Sequence, residues 1–494
     1  MVASAQRSGV VLAIDAGTTG VRTRAVFADG RASIADYREF TQHYPQPGWV
    51  EHDAEEIWQA VRATLQAVCL QITEPIAAIG ITNQRETVVA INRTTGEPLH
   101  RAIVWQDRRT AQRCDALAPH LTAVRSTTGL VLDPYFSGSK VEWLLRNTDV
   151  AQNKNLAFAT IDAFLVHRLT GGASFATDVT NASRTMLFDI RTLRWSDEMC
   201  AMFGVDASSL PDVAPSSGRI GATVRDGAIP AGIPISGIAG DQQAALFGQA
   251  CFAVGSAKNT YGTGSFVLLN VGEQCPAPTT GMLTTVAWQI GNQPAVYAYE
   301  GAIFVTGAAV QWLRDGLNII EASSDVGPLA ESVADSGGVV VVPAFAGLGS
   351  PWWDAYARGA IFGITRGTTR AHIARAVVES MVFQTRDVVD AMTRASGVAI
   401  RDLRVDGGAA VMNLMLQLQA DQLGVDVLRP TELETTAIGA AYLAGLAEGV
   451  WGSTDDIASR WALERRFAPN GADRDIAHAQ WLRAVERSRG WIQS

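Results

Sequence analysis

The feature that most limits what this chain can fold into is a device it uses twice. Val10-Val11-Leu12-Ala13-Ile14 runs into Asp15-Ala16-Gly17-Thr18-Thr19-Gly20 and then into the alternating Val21, Thr23, Ala25 and Phe27, which reads as strand, tight turn, strand. Far downstream, Ser256 to Tyr261 leads through Gly262-Thr263-Gly264 into Ser265-Phe266-Val267-Leu268-Leu269, the same arrangement. At 494 residues the chain is too long for one core, and about 100–200 residues per domain makes two large domains the expectation. The boundary is placed near residue 252, giving domains 1–252 and 253–494, each opened by one hairpin.

Between the hairpins the pattern alternates between helix and strand. From Asp53, with Glu56 three residues on, Ile57, Val61, Leu65 and Val68 fall at helical spacing behind a capping box. Residues 76 to 91 return to strand, and Gln242 to Gln249 is helix-like. Residues 371 to 394 carry Ile373, Val377, Met381 and Val388 on one helical face, and Val405-Asp406-Gly407-Gly408 leads into a helix ending near Gly424.

Composition excludes several function classes. An apolar content of 47% with 18% charged residues suits a protein with sizeable cores rather than a disordered one. The 40 basic and 49 acidic residues give a net charge of −9 with no Lys/Arg-rich block, so neither nucleic acid nor an anionic membrane is expected as a partner. Cys69, Cys114, Cys200, Cys251 and Cys275 are scattered, odd in number and never at metal-ligand spacing, which fits reduced thiols in a cytoplasm. Met1 to Gly9 holds no apolar targeting segment, and no later run reaches the ~20 apolar residues of a membrane span. A soluble, intracellular protein without membrane insertion is expected.

The turn Asp15-x-Gly17-Thr18-Thr19 offers backbone N–H groups, two hydroxyls and a carboxylate in one place, as a phosphate with its Mg²⁺ requires, and Arg22 adds a cation. Taken alone it is equally a hairpin turn rich in turn-formers. The pairing with Tyr261-Gly262-Thr263-Gly264 points to a polyphosphate gripped from two domains, with Asp406-Gly407-Gly408 as a third close-approach turn for the base end of a nucleotide. Neither G-x-x-x-x-G-K-[ST] nor G-x-G-x-x-G occurs. A further interruption needs explaining: Ile79-Gly80-Ile81-Thr82 and Val88-Val89-Ala90-Ile91 bracket Asn83, Gln84, Arg85 and Glu86. In an arbitrary chain that would be a hairpin tip with a solvated ion pair of ~0–1 kcal/mol.

Together the three turns resemble the sugar kinase, Hsp70 and actin superfamily. The implied fold is α/β, with two ribonuclease H-like, actin-like ATPase domains and an active-site cleft between them. Tyr135-Phe136-Ser137-Gly138-Ser139-Lys140-Val141-Glu142-Trp143-Leu144, and Gly359 to Ile364 followed by His372 to Glu379, resemble the two signatures of the FGGY carbohydrate kinases. Pro47 to Asp53, Thr82 to Thr87, Val104-Trp105-Gln106, Asp133 to Ser137 and Gly240 to Leu246 resemble the branch of that family that phosphorylates glycerol.

The resemblance implies that Arg85, Glu86, Tyr135, Asp241 and Gln242 bind the polyol hydroxyls, that Trp105 and Phe266 pack its carbons, and that Asp241 is the base. It implies ATP contacts from Thr18, Thr19, Gly20, Arg22, Thr263, Gly307, Gln311 and Gly408, with Asp15 serving Mg²⁺. A homo-oligomer, dimer or tetramer, is expected on the same ground. Singly, Asp241 reads as an N-cap, Trp105 and Phe266 as core aromatics and Tyr135 as a turn residue; the joint pattern overturns these. Arg85 and Glu86 are then read as facing a polyol rather than each other.

The chain departs from the family pattern at Ala16 and Gly20, where D-Q-G-T-T-S is usual, and at Met412, which stands at the nucleotide-contacting Asn. Some bacterial members bind a sugar bisphosphate through an arginine-bearing loop, and Pro230-Ala231-Gly232-Ile233 has no arginine, so that inhibition is not expected. Three readings stay open: a kinase for glycerol, one for another polyol or ketose such as erythritol, ribitol or xylulose, and a chaperone-like member of the superfamily. The absence of a long strand-rich extension counts against the last.

Overall fold

The computed structural model describes residues 9–471 and 474–492. The first eight residues, on which the reading of the N-terminus largely rested, lie outside them. The opening hairpin forms as expected: β1 (Val10–Ala16) and β2 (Gly20–Phe27) pair antiparallel from Val10 against Phe27 to Ala16 against Val21. β1 is apolar on both faces because it becomes a central strand, covered on both sides.

β3 (Ile34–Glu39) continues the meander. The chain then crosses through α1 (Ala54–Cys69) to β4 (Ile76–Asn83), which lies parallel to β1. Ile57, Val61, Leu65 and Val68 are buried, as their spacing requires. The capping box is only half made. Asp53 accepts the Glu55 N–H, but Glu56 Oε2 takes the Thr41 N–H at 2.9 Å, tying α1 to the chain that leaves β3 instead of reaching back to its own cap.

Residues 76 to 91 are not one strand. β4 ends at Asn83, and Val89–Asn92 pairs with Leu156–Ala159 in a separate small sheet. The cause is local: Glu86 has φ +61° and the Thr87 N–H closes onto Arg85 O at 2.7 Å, the rare, strained positive-φ γ-turn. The solvated hairpin tip is therefore excluded.

β5 (Ser217–Ala222) and β6 (Pro234–Gly240) complete the first sheet, with β6 parallel to β4. Among the described residues its strand order is β5-β6-β4-β1-β2-β3. β6 passes into α2 (Asp241–Gly248), and residue 252 falls in the connection that follows.

The second sheet repeats the plan. β7 (Ser256–Tyr261) and β8 (Ser265–Gly272) make the second hairpin, and β9 (Leu283–Trp288) and β10 (Val296–Ile303) extend its antiparallel side. The 27-residue helix α3 (Arg370–Ser396) buries Val377, Met381 and Val388. β11 (Asp402–Asp406) and β12 (Asp426–Pro430) run parallel to β7, joined by α4 (Asn413–Leu423), which Gly424 ends in the left-handed conformation. β13 (Leu463–Phe467) closes the order β9-β10-β8-β7-β11-β12-β13.

One helix departs from a simple division into halves. α5 (Thr435–Glu448) follows β12 as α2 follows β6, yet it lies on α2 and on the first sheet. A Cβ at Gly80 of β4 or Gly237 of β6 would collide with the α5 backbone at Ala440 and Ala444. Gly248 and Gly439 bring the main chains of α2 and α5 together against Thr435 and Ala244.

Candidate active site

The four polar residues from the end of β4 onward, Asn83 to Glu86, are buried, and each has a separate task. Asn83 Nδ2 donates to Asn181 Oδ1 at 3.0 Å. Gln84 donates its backbone N–H to Ala16 O and its side-chain amide to Gly17 O, both at 2.9 Å, locking the end of β4 to the first turn. Arg85 and Glu86 sit 3.7 Å apart, too far for a hydrogen bond.

Their principal partners were not anticipated from the sequence. Glu300, on β10, meets Arg85 end on, accepting from Nη1 at 2.5 Å and from Nη2 at 3.0 Å. Arg184 donates from Nε to Glu86 Oε1 at 2.7 Å and from Nη2 to Glu300 Oε1 at 2.9 Å. Arg85 and Glu86 thus belong to a buried tetrad of two guanidiniums and two carboxylates, partners that the reading of them as facing a polyol did not include. Burial would raise the Glu300 carboxyl, but Arg184 and Arg85 hold it down to about 2.

The other expected walls converge here. Arg85 Nη2 also reaches Tyr135 Oη at 3.1 Å, and Arg85 Nε lies 3.2 Å from Asp241 Oδ1. The Trp105 ring stands edge-on to Tyr135 at 5.6 Å and to Phe266 at 6.5 Å, making an apolar enclosure beside these polar groups. Lys140 Nζ donates to Tyr135 O at 2.6 Å, fixing the base of that wall, and burial draws its ammonium down to about 8. Gln242 is held by Lys258, a buried lysine of β7, also drawn down to about 8 by burial.

Asp241 is not the N-cap of α2. Gly240 is, and Asp241 occupies the first helical turn with its side chain one-third exposed. It is the partly open carboxylate in an otherwise sealed cluster.

The phosphate side begins one step away. Trp105 Nε1 donates to Thr18 Oγ1 at 2.9 Å, so one indole joins the enclosure to the first turn. Thr19 is exposed at the tip. At Gly20 a Cβ would lie 2.5 Å from Tyr37 Oη and 2.6 Å from Arg38 O, so the missing serine is replaced by close packing against β3. Arg22 is paired with Glu434 across the two halves rather than left free.

In the second hairpin the N–H groups of Thr306, Gly307 and Ala308 donate to the carbonyls of Gly262 and Thr263 at 2.9–3.0 Å, so Gly307 buttresses the turn. Gln311 is exposed at the end of the short helix Gly307–Gln311. The double glycine divides its work: a Cβ at Gly407 would meet Tyr261 O at 2.5 Å, whereas one at Gly408 meets nothing within 4 Å. Gly407 serves packing and Gly408 faces open space. Met412 is half-buried at the N-cap of α4, its side chain toward Gly327.

A divalent cation would fit at Asp15. Burial, then the charges of Asp241 and Glu434, push the Asp15 carboxyl up to about 7, strain that a bound cation would relieve. Among the described residues no cluster of three or more His, Cys, Asp or Glu could hold a metal. That suits Mg²⁺, which takes one or two carboxylates together with substrate phosphates.

Glu300 did carry a sequence signal, a lone charge inside the apolar strand Val296–Ile303, whereas Arg184 sits in an unremarkable turn. Residues 10–248 match the N-terminal domain, and residues 257–448 the C-terminal domain, of the FGGY family of carbohydrate kinases. A glycerol kinase of Rhodopirellula baltica is 54% identical over 98% of this chain and 91% of its own. One of Symbiobacterium thermophilum is 54% identical over 98% and 99%. A crystal structure of Plasmodium falciparum glycerol kinase with ADP superposes with a TM-score of 0.92 at 34% identity, covering 99% of each chain. A ligand-bound xylulose kinase from Lactobacillus acidophilus, at 21% identity and TM-score 0.87 over 97% and 98% of the two chains, shares the fold.

Proposed function

The chain belongs to the FGGY family of carbohydrate kinases, and from that premise we propose that it transfers the γ-phosphoryl group of ATP to glycerol, giving sn-glycerol 3-phosphate. The observation that carries the reading is Asp241: a partly open carboxylate 3.2 Å from Arg85 Nε, beside the Trp105, Tyr135 and Phe266 enclosure.

Glycerol lies with its carbons between Trp105 and Phe266. Its hydroxyls engage the Nε edge of Arg85, the Glu86 carboxylate, Tyr135 Oη, Asp241 and Gln242. Asp241 accepts the proton of the terminal hydroxyl, whose oxygen forms the new bond to the γ-phosphorus as the bond to the ADP oxygen breaks. Thr18, Thr19 and Gly20 receive phosphate oxygens at the first turn. Arg22 reaches the phosphates once it parts from Glu434. Thr263, Gln311 and Gly408 lie along the nucleotide, with Gly307 supporting the second turn and the Met412 thioether near the base. Asp15 would hold Mg²⁺, which would supply charge neutralisation to the phosphates. Closing of the two halves keeps water from competing with glycerol. The enzyme is read as a cytoplasmic homo-oligomer, dimer or tetramer; among the described residues no helix is long and apolar enough to cross a membrane.

ADP release over glycerol, dihydroxyacetone, erythritol, ribitol, xylulose and gluconate tests the reading. Glycerol is expected to give the highest kcat/KM, and Asp241→Asn to lose most of the turnover while still binding glycerol. A preference for another acceptor overturns the substrate, and wild-type turnover in Asp241→Asn overturns the base.

A further inference from the structure

We propose that Glu300 is a positioning residue for the polyol site: by clamping the end of Arg85 from the second sheet, it turns that guanidinium's remaining edge toward the substrate and limits its contact with Asp241 to the Nε side. The proposal rests on the glycerol kinase reading above and assigns a role to a residue outside the expected ligand set.

A guanidinium offers two forks, one between its terminal nitrogens and one between Nε and a terminal nitrogen. Glu300 occupies the first, with Oε2 on Nη1 and Oε1 on Nη2. The second edge is thereby aimed at Asp241 Oδ1, 3.2 Å from Nε, and at Tyr135 Oη, 3.1 Å from Nη2. Those are the groups between which a diol would sit. Gln243 Oε1 takes the remaining Nη1 donor at 3.1 Å, so the orientation is fixed from behind as well.

Without the Glu300 carboxylate, the nearest acidic groups to Arg85 are Asp241 and Glu86. Arg–carboxylate pairs prefer bidentate geometry, so the freed guanidinium would close on one of them. Closing on Asp241 would cover the base and the diol site in one movement. Arg184 cannot substitute for the clamp, because it carries the same charge and its Nε is engaged by Glu86.

The placement has a second consequence. Arg85, Glu86, Tyr135, Arg184 and Asp241 precede the second sheet in the chain, whereas Glu300 stands on β10 within it and is fully buried. The polyol site therefore gains its orientation only when the two halves are docked. Glycerol affinity is coupled to domain arrangement through this carboxylate, beside the contributions of Phe266 and Lys258 from the same sheet.

Steady-state kinetics of Glu300→Gln with glycerol and MgATP test the proposal. The glycerol KM is expected to rise at least tenfold while the ATP KM stays within twofold, and Glu300→Asp is expected to recover part of the loss. An Arg85→Ala variant should have a raised glycerol KM that adding Glu300→Gln does not raise further. If Glu300→Gln fails to fold, Glu300→Asp is measured instead, with and without Arg85→Ala, and the same non-additivity is expected. Equal changes in both KM values, or additive effects of the two substitutions, overturn the positioning role. Absence of glycerol phosphorylation by the wild-type protein would instead overturn the functional reading on which the proposal rests.

Discussion

Replacing Glu86 with alanine tests the buried tetrad most directly. Its four charges balance, and removing this carboxylate leaves one positive charge in excess among side chains no more than 1% exposed. Arg184 loses its Nε acceptor, and its Nη1 already has no partner. Breaking one side of a buried pair costs about 3–5 kcal/mol. Arg184 retains Glu300 at 2.9 Å, which places the expectation at the low end, about 3 kcal/mol. Alanine brings no compensation through the backbone, since φ +61° suits it no better than glutamate. In a half of this size the loss corresponds to about 6–12 °C in Tm. Urea unfolding and glycerol kinetics are measured together on Glu86→Ala and on Glu86→Ala/Arg184→Met. The double variant should regain most of the stability, because it removes the uncompensated charge, while its glycerol KM stays high. A single variant within about 1 kcal/mol of wild type would refute the charge argument. A double variant with wild-type glycerol KM would show that Glu86 serves Arg184 and not the polyol.

Four other outcomes are expected. Gly20→Ser restores the family residue but drives its Cβ into Tyr37 Oη and Arg38 O, so thermal unfolding should show a loss of about 1–3 kcal/mol, reduced in a Tyr37→Ala background. Met412→Asn supplies a side-chain cap that α4 lacks, about 1 kcal/mol, and should lower the ATP KM; an unchanged KM would remove position 412 from the nucleotide site. Asp162 is pushed up to about 7, first by burial and then by Asp178, so the folded state retains a proton that the unfolded chain releases near pH 4. Stability should therefore fall by up to about 4 kcal/mol as pH climbs from about 4 to about 7, and Asp162→Asn should flatten that slope in unfolding measured at several pH values. Fructose 1,6-bisphosphate should leave turnover unchanged, and a dose-dependent loss would contradict the arginine-free loop at Pro230–Ile233.

Both hairpins could be read from the sequence because two local signals coincide in each, apolar alternation and a Gly/Thr turn. The interruption at Asn83 to Glu86 was visible for a related reason, since polar groups inside an apolar run need partners. Which partners was not visible: Glu300 lies 215 residues from Arg85, and only the docking of two sheets brings them together. The strained turn at Glu86 also escaped notice, because glutamate carries no preference for positive φ. Likewise Ala437 to Ala444 announces close packing through its small residues, but not that its neighbour would be α2 in the other half.

That contact limits how α2 and α5 can shift against one another. Where α2 and α5 cross, main chain meets main chain at Gly248 and Gly439, with no side chain between them. Sliding one helix along the other would drive neighbouring Cβ atoms into backbone, whereas rotation about the crossing leaves the contact intact, as in a pin joint. Asp241 begins α2, and at 1.5 Å per residue it lies about 5–10 Å along the helix from the pin. Asp241 stands at the far end of this eight-residue helix from Gly248, so a turn about the crossing would carry its carboxylate through an arc of that radius while the main-chain contact holds.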